Sequence, residues 1–123
     1  MDRRVVVDSE GEVVGWIDTA QSLTWTNTGF PVTGEPDRYD MRSLHLTPAG
    51  RWVTAVAPVW DLVRARFELV EDDDLVVEWF VRNGRKPSGF NGPADPTKPR
   101  AIPNPIQSQR LAELDRVLAS AQL

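Results

Sequence analysis

Short apolar runs separated by turn residues fill the first half of the chain, a pattern typical of antiparallel strands. Residues 4–7 and 12–18 are rich in valine and flank a turn that contains Gly11, which predicts a β-hairpin. Asp18 is then expected to cap a short helical turn that leads to Trp25. The N-terminal segment therefore predicts two paired strands at the start of a sheet.

A second group of apolar runs follows a long polar loop over residues 26–41. Residues 43–57 predict a second hairpin, because the turn-forming residues 48–50 divide them. Both faces of the second arm are apolar, as in a central strand. Residues 64–70 alternate between apolar and charged positions, as a half-buried strand does. About five strands, mostly antiparallel, are therefore expected.

The hydrophobic period changes to that of a helix after residue 70. Residues 72–74 are three aspartates, and a carboxylate at this point caps the first turn and favours the positive end of the helix dipole. Acids that bind a metal would be spaced around the ion with further oxygen donors between them, and this run lacks that spacing. Gly84 predicts a left-handed stop. We therefore expect a capped helix over 73–83 with an apolar stripe formed by Leu75, Val76, Trp79 and Phe80.

Proline dominates residues 86–105, which hold six of the ten prolines of the chain. Proline fixes φ and removes a hydrogen-bond donor, so this segment predicts an extended connector. Pro93, Pro96 and Pro99 have the spacing of a proline-rich segment that binds an aromatic groove of another protein. The composition favours a segment that lies across its own domain, or a plain linker, over such a ligand. Asn104, Pro105 and Gln107 then have the pattern of a capped helix start.

The C-terminal helix carries an apolar stripe that must pack either on its own domain or on a second copy. We expect two such helices to pair across a two-fold axis and form a homodimer, with docking in cis as the alternative. The stripe consists of Leu111, Leu114, Val117 and Leu118.

These elements predict an α+β fold, in which an antiparallel sheet of about five strands is packed by one central helix. The expected organisation is a globular domain over 1–85, the connector over 86–105 and the amphipathic helix over 106–123. A chain of 123 residues fits one domain with one modest core.

Charge and composition narrow the classes of function. A net charge of −4 disfavours a mainly electrostatic grip on nucleic acid. The chain has no cysteine, which excludes disulfides, thiolate zinc sites and a cysteine nucleophile. The N-terminus has no signal-peptide core and no run is long enough to span a membrane, so we expect a cytoplasmic protein.

Candidate chemistry is sparse, and we expect no catalytic residue, no cofactor and no metal. His45 is the only histidine; it lies opposite the Leu44 and Leu46 face of its strand, as a surface residue or a base. No serine has the setting of a nucleophile elbow, and no glycine-rich loop lies between a strand and a helix. A hydrolase or metal-dependent enzyme is therefore the third interpretation.

Binding functions have better candidates. Five tryptophans, an acidic surface and an amphipathic helix favour a protein partner, whereas a nucleic-acid-binding regulator is the alternative. Loop 26–41 and the connector remain alternative functional surfaces. The candidates for contact with a protein are Trp25, Phe30, Trp60, Phe90, Leu111, Leu114 and Leu118. The candidates for contact with nucleic acid are Arg64, Arg66, Arg82, Arg85 and Lys86.

The chain also resembles a group of small bacterial proteins of unassigned function. That group has a Thr-x-x-Gly-Arg-Trp-Val hairpin, a following strand with Trp, and an acid-capped helix that ends in Asn-Gly. The matching residues here are Thr47, Gly50, Arg51, Trp52, Val53, Trp60, Trp79, Asn83 and Gly84. Some members continue into antitoxin-like tails, so the resemblance implies a regulatory role and supplies no catalytic residue. We therefore expect a non-enzymatic, protein-binding regulator, either antitoxin-like or a phage-encoded modulator.

Overall fold

The computed structural model describes residues 3–26, 39–58, 66–90 and 102–123. These residues form a mostly antiparallel six-stranded sheet and two α-helices, which confirms the predicted α+β class and adds one strand to the expected five. The strands are β1 (Arg3–Val7), β2 (Val13–Asp18), β3 (Leu23–Thr26), β4 (Tyr39–Leu46), β5 (Trp52–Pro58) and β6 (Arg66–Val70). The helices are α1 (Asp73–Asn83) and α2 (Pro105–Ala121), with a short 3₁₀ turn at Pro87–Gly89.

The strand order across the sheet is β2-β1-β6-β5-β4-β3. Both predicted hairpins form, since β1 pairs with β2 and β4 pairs with β5, each in antiparallel fashion. Among the described strands one pair is parallel and joins β1 to β6, with Val6 opposite Phe67. Strand β5 lies between β6 and β4, as its two apolar faces predict.

Strand β3 replaces the helical turn that was expected after Asp18. The carbonyl of Asp18 accepts hydrogen bonds from the Gln21 amide and the Ser22 hydroxyl, both at 3.1 Å, and its carboxylate accepts from the Ala20 amide at 3.0 Å. These bonds close a tight turn instead of starting a helix. The next residues then pair with β4, with Trp25 opposite Leu44.

Helix α1 forms as its sequence predicts. Asp72 is the N-cap, and its carboxylate accepts the amide hydrogen of Asp74 at 2.9 Å. Gly84 ends the helix in the left-handed conformation with φ of 59°, where a side chain would be strained. Of the predicted stripe, Val76, Trp79 and Phe80 are buried, whereas Leu75 is exposed.

Helix α2 docks on its own domain. Its capping box is complete, since Asn104 and Gln107 exchange hydrogen bonds of 2.7 and 3.0 Å. The buried Gln107 amide also donates to the Leu46 carbonyl at 3.1 Å, which ties the helix to β4. Leu114 is buried in the main core, with Leu111 and Leu118 packed against that core. Most of the predicted stripe of α2 is thus covered by its own domain. The expected pairing of two α2 helices in a homodimer would need that stripe to be exposed.

Both helices cover the same face of the sheet, and the main core lies between that face and the helices. Its buried members are Leu23, Trp25, Leu44, Leu46, Trp52, Val76, Trp79, Phe80 and Leu114. The opposite face carries a smaller apolar cluster formed by Val6, Ile17 and Val53, with Phe67 and Leu69 packed against it. In the parts of the chain that the structure describes, no helix has the length and apolar character needed to cross a membrane.

Candidate functional site

Strand β2 forms one edge of the sheet and leaves large apolar side chains in solvent. The exposed fraction is 68% for Val13, 50% for Val14 and 61% for Trp16, and Val5 on the neighbouring strand is 59% exposed. The other three tryptophans that the structure describes are at most 3% exposed. A tryptophan exposed beside other apolar side chains is typical of an interaction surface.

The strand register places Val5, Val13 and Trp16 on the helix-covered side of the sheet, whereas a β-bulge between Val13 and Gly15 leaves Val14 unpaired. Val5 lies opposite Trp16, and Val7 lies opposite Glu68, which in turn lies opposite Thr54. Because paired residues share a face and alternate residues point the same way, Val5 and Trp16 share the face of the main core. The guanidinium carbon of Arg3 lies 4.8 Å from the centre of the Trp16 ring, a cation–π contact.

A pocket of about 320 Å³ lies against β2 and the adjoining strands. Its apolar lining comes largely from the smaller cluster, with Val6, Ile17, Val53 and Leu69. Val14, Trp16 and residues of two turns also border it. The volume falls within the range of about 300–1,000 Å³ that is usual for ligand pockets.

Gly15 marks the point where the pocket meets the edge strand. It lines the pocket and lies opposite Val6. A Cβ atom added at Gly15 would have no heavy atom within 4 Å, apart from those of its chain neighbours. The backbone of Gly15 does not have a positive φ. A larger side chain at this position would therefore extend into open space without backbone strain.

Polar residues lie at the ends of the pocket. The turn after β2 contributes Asp18 and Gln21, and the turn between β4 and β5 contributes Thr47 and Arg51. Asp18 is only 8% exposed, and its carboxylate accepts the amide hydrogen of Ala20 at 3.0 Å. The pocket is thus an apolar cavity with a carboxylate at one end.

His45 is the centre of a separate, enclosed polar cluster. Its Nδ1 lies 3.0 Å from the Thr24 hydroxyl and its Nε2 lies 2.9 Å from the Ser43 hydroxyl, while its ring packs beside Phe67 at 5.7 Å. Burial lowers its pKa to about 4, so the ring is neutral near pH 7. A neutral ring has one donor and one acceptor nitrogen, and the two hydroxyls can satisfy both. Of the two alternatives for His45, a surface residue is wrong, because the side chain is only 5% exposed, and a role as a base stays untested.

Most of the residues predicted to contact a protein lie in or against the main core. Trp25 is 1% exposed and its indole N–H donates to the Lys86 carbonyl at 3.1 Å, so its side chain is not available to a partner. Leu114 is also buried. The others are half-buried against the core, namely Phe90, Leu111 and Leu118. Phe30 and Trp60 lie outside the described residues.

The arginines predicted to contact nucleic acid are mostly engaged. Arg66 pairs with Glu68 at 3.1 Å and Arg82 pairs with Glu78 at 2.7 Å. Arg85 donates to the Thr26 carbonyl at 3.0 Å. Lys86 is exposed, and Arg64 lies outside the described residues. The predicted connector falls largely outside them too, since residues 91–101 are not described.

Reasoning from sequence missed the surface at β2. The sequence does contain a signal for it, because positions 13–17 are apolar on both faces of the strand. A strand of this kind is expected in the middle of a sheet. Its place at the edge follows from the order of all six strands, which the local pattern does not encode.

A scan of protein family models, a search of curated proteins and a search of solved structures each found no match to this chain. The resemblance to small bacterial proteins therefore stays a prediction. Support for a function comes from the edge strand, the adjoining pocket and the charges around them.

Proposed function

We propose that the chain is a non-enzymatic, cytoplasmic regulator that binds a protein partner at the surface formed by β2 and its pocket. The observation that carries this proposal is that the edge strand β2 has an exposed Trp16 on its helix side and borders an apolar pocket of about 320 Å³ on its other face. Large aromatic side chains dominate the energy of protein interfaces, and pockets receive the anchoring side chains of partners. An antitoxin-like or phage-encoded modulator would need such a surface.

The chemistry of the pocket favours binding over catalysis. Its polar side chains are Asp18, Gln21, Thr47 and Arg51. The Thr47 hydroxyl accepts the Arg51 amide hydrogen at 3.0 Å, so it is oriented as an acceptor within its own turn. Among the described lining residues no hydroxyl is paired with a histidine, since the buried His45 lies outside the pocket.

The proposal is tested by affinity capture from an extract of native cells with the tagged chain and three variants. Trp16→Arg removes the exposed anchor, and Gly15→Leu extends a side chain into the pocket. Val81→Arg is the matched control, because Val81 is 66% exposed on α1 and away from the pocket lining. We expect one protein to be captured by the parent and the control and lost with both β2 variants.

Equal capture by the parent and both β2 variants would contradict the proposal, since a partner would then bind elsewhere. Circular dichroism of each variant shows whether the fold is retained. Both β2 substitutions lie where a new side chain meets solvent or open space, so we expect native spectra.

A further inference from the structure

The sheet is rolled rather than flat. Strands β2 and β3 are the two outer strands of the described sheet, yet only residues 19–22 join Asp18 at the end of β2 to Leu23 at the start of β3. In a flat sheet, five spacings of about 4.8 Å would separate these strands by about 24 Å. Five residue steps reach at most about 18 Å, and the turn at Asp18 shortens that reach. The sheet must therefore curl until its outer strands approach one another at this point.

The pocket of about 320 Å³ lies on the concave side of the roll. Its lining includes Ile17 of β2, Val53 of β5 and the turn at residues 47–49, so distant strands of the sheet face the same cavity. Gly15 also lines the cavity and adds no side chain to fill it. Small barrels and rolled sheets either fill their interior with side chains or hold one small ligand there. The unfilled interior of this sheet therefore favours a ligand.

The size and the lining of the cavity define the body of that ligand. A cavity of about 150 Å³ holds one benzene ring, so this one has room for roughly ten to thirteen non-hydrogen atoms. Its apolar side chains are branched and aliphatic, and they contact carbon without offering hydrogen bonds. They are Val6, Ile17, Val53 and Leu69. The body of the ligand is therefore small and apolar.

Arg51 supplies an accessible positive charge on the pocket lining. Its side chain is 57% exposed, and its ion pair with Glu71 has an N–O distance of 3.9 Å, which is too long for a hydrogen bond. Since the Glu71 side chain is 77% exposed, solvent screens this pair and makes it weak. A guanidinium binds a carboxylate best through two parallel N–H donors. Arg51 can therefore exchange Glu71 for the carboxylate of a ligand.

The acidic group on the pocket lining is less accessible. Asp18 is 8% exposed, its carboxylate accepts the Ala20 amide hydrogen at 3.0 Å, and it lies opposite Arg3 in the strand register. A cation on its own sheet thus already lies beside Asp18. The Thr47 hydroxyl accepts the Arg51 amide hydrogen and retains its own hydrogen for donation. The accessible polar groups of the pocket therefore favour an anion over a cation.

We propose that the pocket binds a small carboxylic acid, with its apolar body inside the cavity and its carboxylate on Arg51. The inference goes beyond the proposed function, because the ligand is a small molecule and its binding needs no protein partner. Where the proposed function also holds, an acid in the cavity would exclude the anchoring side chain of the partner. The ligand would then be an effector of the regulator.

The probe is octanoate, whose size matches the cavity, and its binding to the ¹⁵N-labelled chain is followed by NMR near pH 7.5 at low salt. We expect saturable shifts that are largest for residues 15–18, Val53 and Leu69, together with the Nε–H of Arg51. Octanamide has nearly the same shape without the charge and should bind at least fivefold more weakly. Octylammonium should bind no more tightly than octanamide.

Protein variants test the same contacts from the other side. Arg51→Gln should weaken octanoate binding at least fivefold and leave octanamide binding unchanged. Glu71→Gln should strengthen octanoate binding severalfold, because it removes the carboxylate that competes for Arg51. Asp115→Asn is the matched control, since it makes the same charge change at an exposed position on α2 and should have no effect. Gly15→Leu fills the cavity and should weaken both ligands at least tenfold.

The inference has outcomes that overturn it separately from the proposed function. Equal affinity for octanoate and octanamide removes the role of Arg51, and tighter binding of octylammonium would assign selection to Asp18 instead. No saturable shifts with octanoate up to about 20 mM would overturn the site itself, since even a weak ligand of this size binds in that range. Partner capture that still depends on Gly15 and Trp16 would then leave the protein-binding function standing.

Discussion

Two tryptophans on the same face of one sheet differ widely in their surroundings. Trp25 on β3 is 1% exposed and contacts Trp52, Phe80 and Phe90, with ring centroids 5.2–6.2 Å apart. Trp16 on β2 is 61% exposed, and the guanidinium of Arg3 lies over its ring. The difference depends on which strands the helices cover, because both residues are equally apolar.

Helix placement explains this division. Only two residues separate the end of β6 from the start of α1, which packs on the half of the sheet that contains Trp25. Helix α2 is held there by hydrogen bonds to β4 and to the Gly50 turn. Gly50 fits this contact because a Cβ there would lie 2.7 Å from Ile106. The apolar residues of the covered half therefore stabilise the fold, whereas Val5, Val13 and Trp16 of the bare half stay exposed to solvent.

The largest expected effect is at Trp79 on the covered half. Trp79→Ala should lower the free energy of unfolding by about 3–5 kcal/mol, because it leaves a large cavity in the main core. Urea denaturation measures this loss. Trp79→Phe should cost much less, since the indole N–H is buried without a hydrogen-bond partner among the described residues and phenylalanine removes it. A small loss for Trp79→Ala would place Trp79 outside the stabilising half.

The second effect concerns His45, on the face of the sheet away from the helices. Its folded pKa of about 4 lies below the ordinary value of 6.5, so the unfolded chain takes up the proton first as pH falls. The free energy of unfolding should therefore be unaffected above pH 6.5 and fall by up to about 3 kcal/mol as the pH approaches 4. Urea denaturation of the parent and of His45→Gln isolates this contribution, and identical pH slopes would contradict it.

A third, smaller effect separates a helix cap from a metal site. Asp72→Ala should lower stability by about 1 kcal/mol, because Asp72 caps the first turn of α1. Asp115→Ala on the exposed face of α2 is the control and should be close to neutral. Added calcium or magnesium should leave the melting temperature of the parent unchanged, and a clear rise would favour a carboxylate metal site instead.

The smallest effect on stability is expected on the bare half. Trp16→Ser should change the free energy of unfolding by about 0.5 kcal/mol or less, since most of the side chain is already in solvent. The same variant should lose partner capture. A large loss of stability would show that Trp16 contributes to the fold as Trp25 does, and the contrast between the two would disappear.

Local signals made the elements of this fold predictable. The Gly11 turn, the aspartate cap of α1 and the capping box of Asn104 and Gln107 each act within a few residues, and each forms as expected. Strand β3 also has a local signal, the alternating Leu23-Thr24-Trp25-Thr26, although the residues around it favour a helical turn and a loop.

The candidate site was not predictable in the same way. Pairing of β1 with β6 joins residues about sixty positions apart and makes β2 an edge strand. The pocket combines residues from four strands and two turns, so it exists only after the sheet has formed. Docking of α2 on its own domain depends on its fit to the Gly50 turn and on the hydrogen bond to the Leu46 carbonyl. The apolar stripe of the helix does not reveal either contact.

The parallel pair between β1 and β6 also bears on how the chain is made. An isolated hairpin is marginally stable in water, so β1 and β2 need β6 before they are secure. At a synthesis rate of about 5–20 residues per second, the roughly sixty residues between Val6 and Phe67 take about 3–12 s to emerge. For that interval the nascent chain leaves Val6 and Ile17, which are buried in the finished sheet, without their packing partners Val53 and Phe67. A partner that binds β2 during translation would thus act as a chaperone for the hairpin that it later occupies.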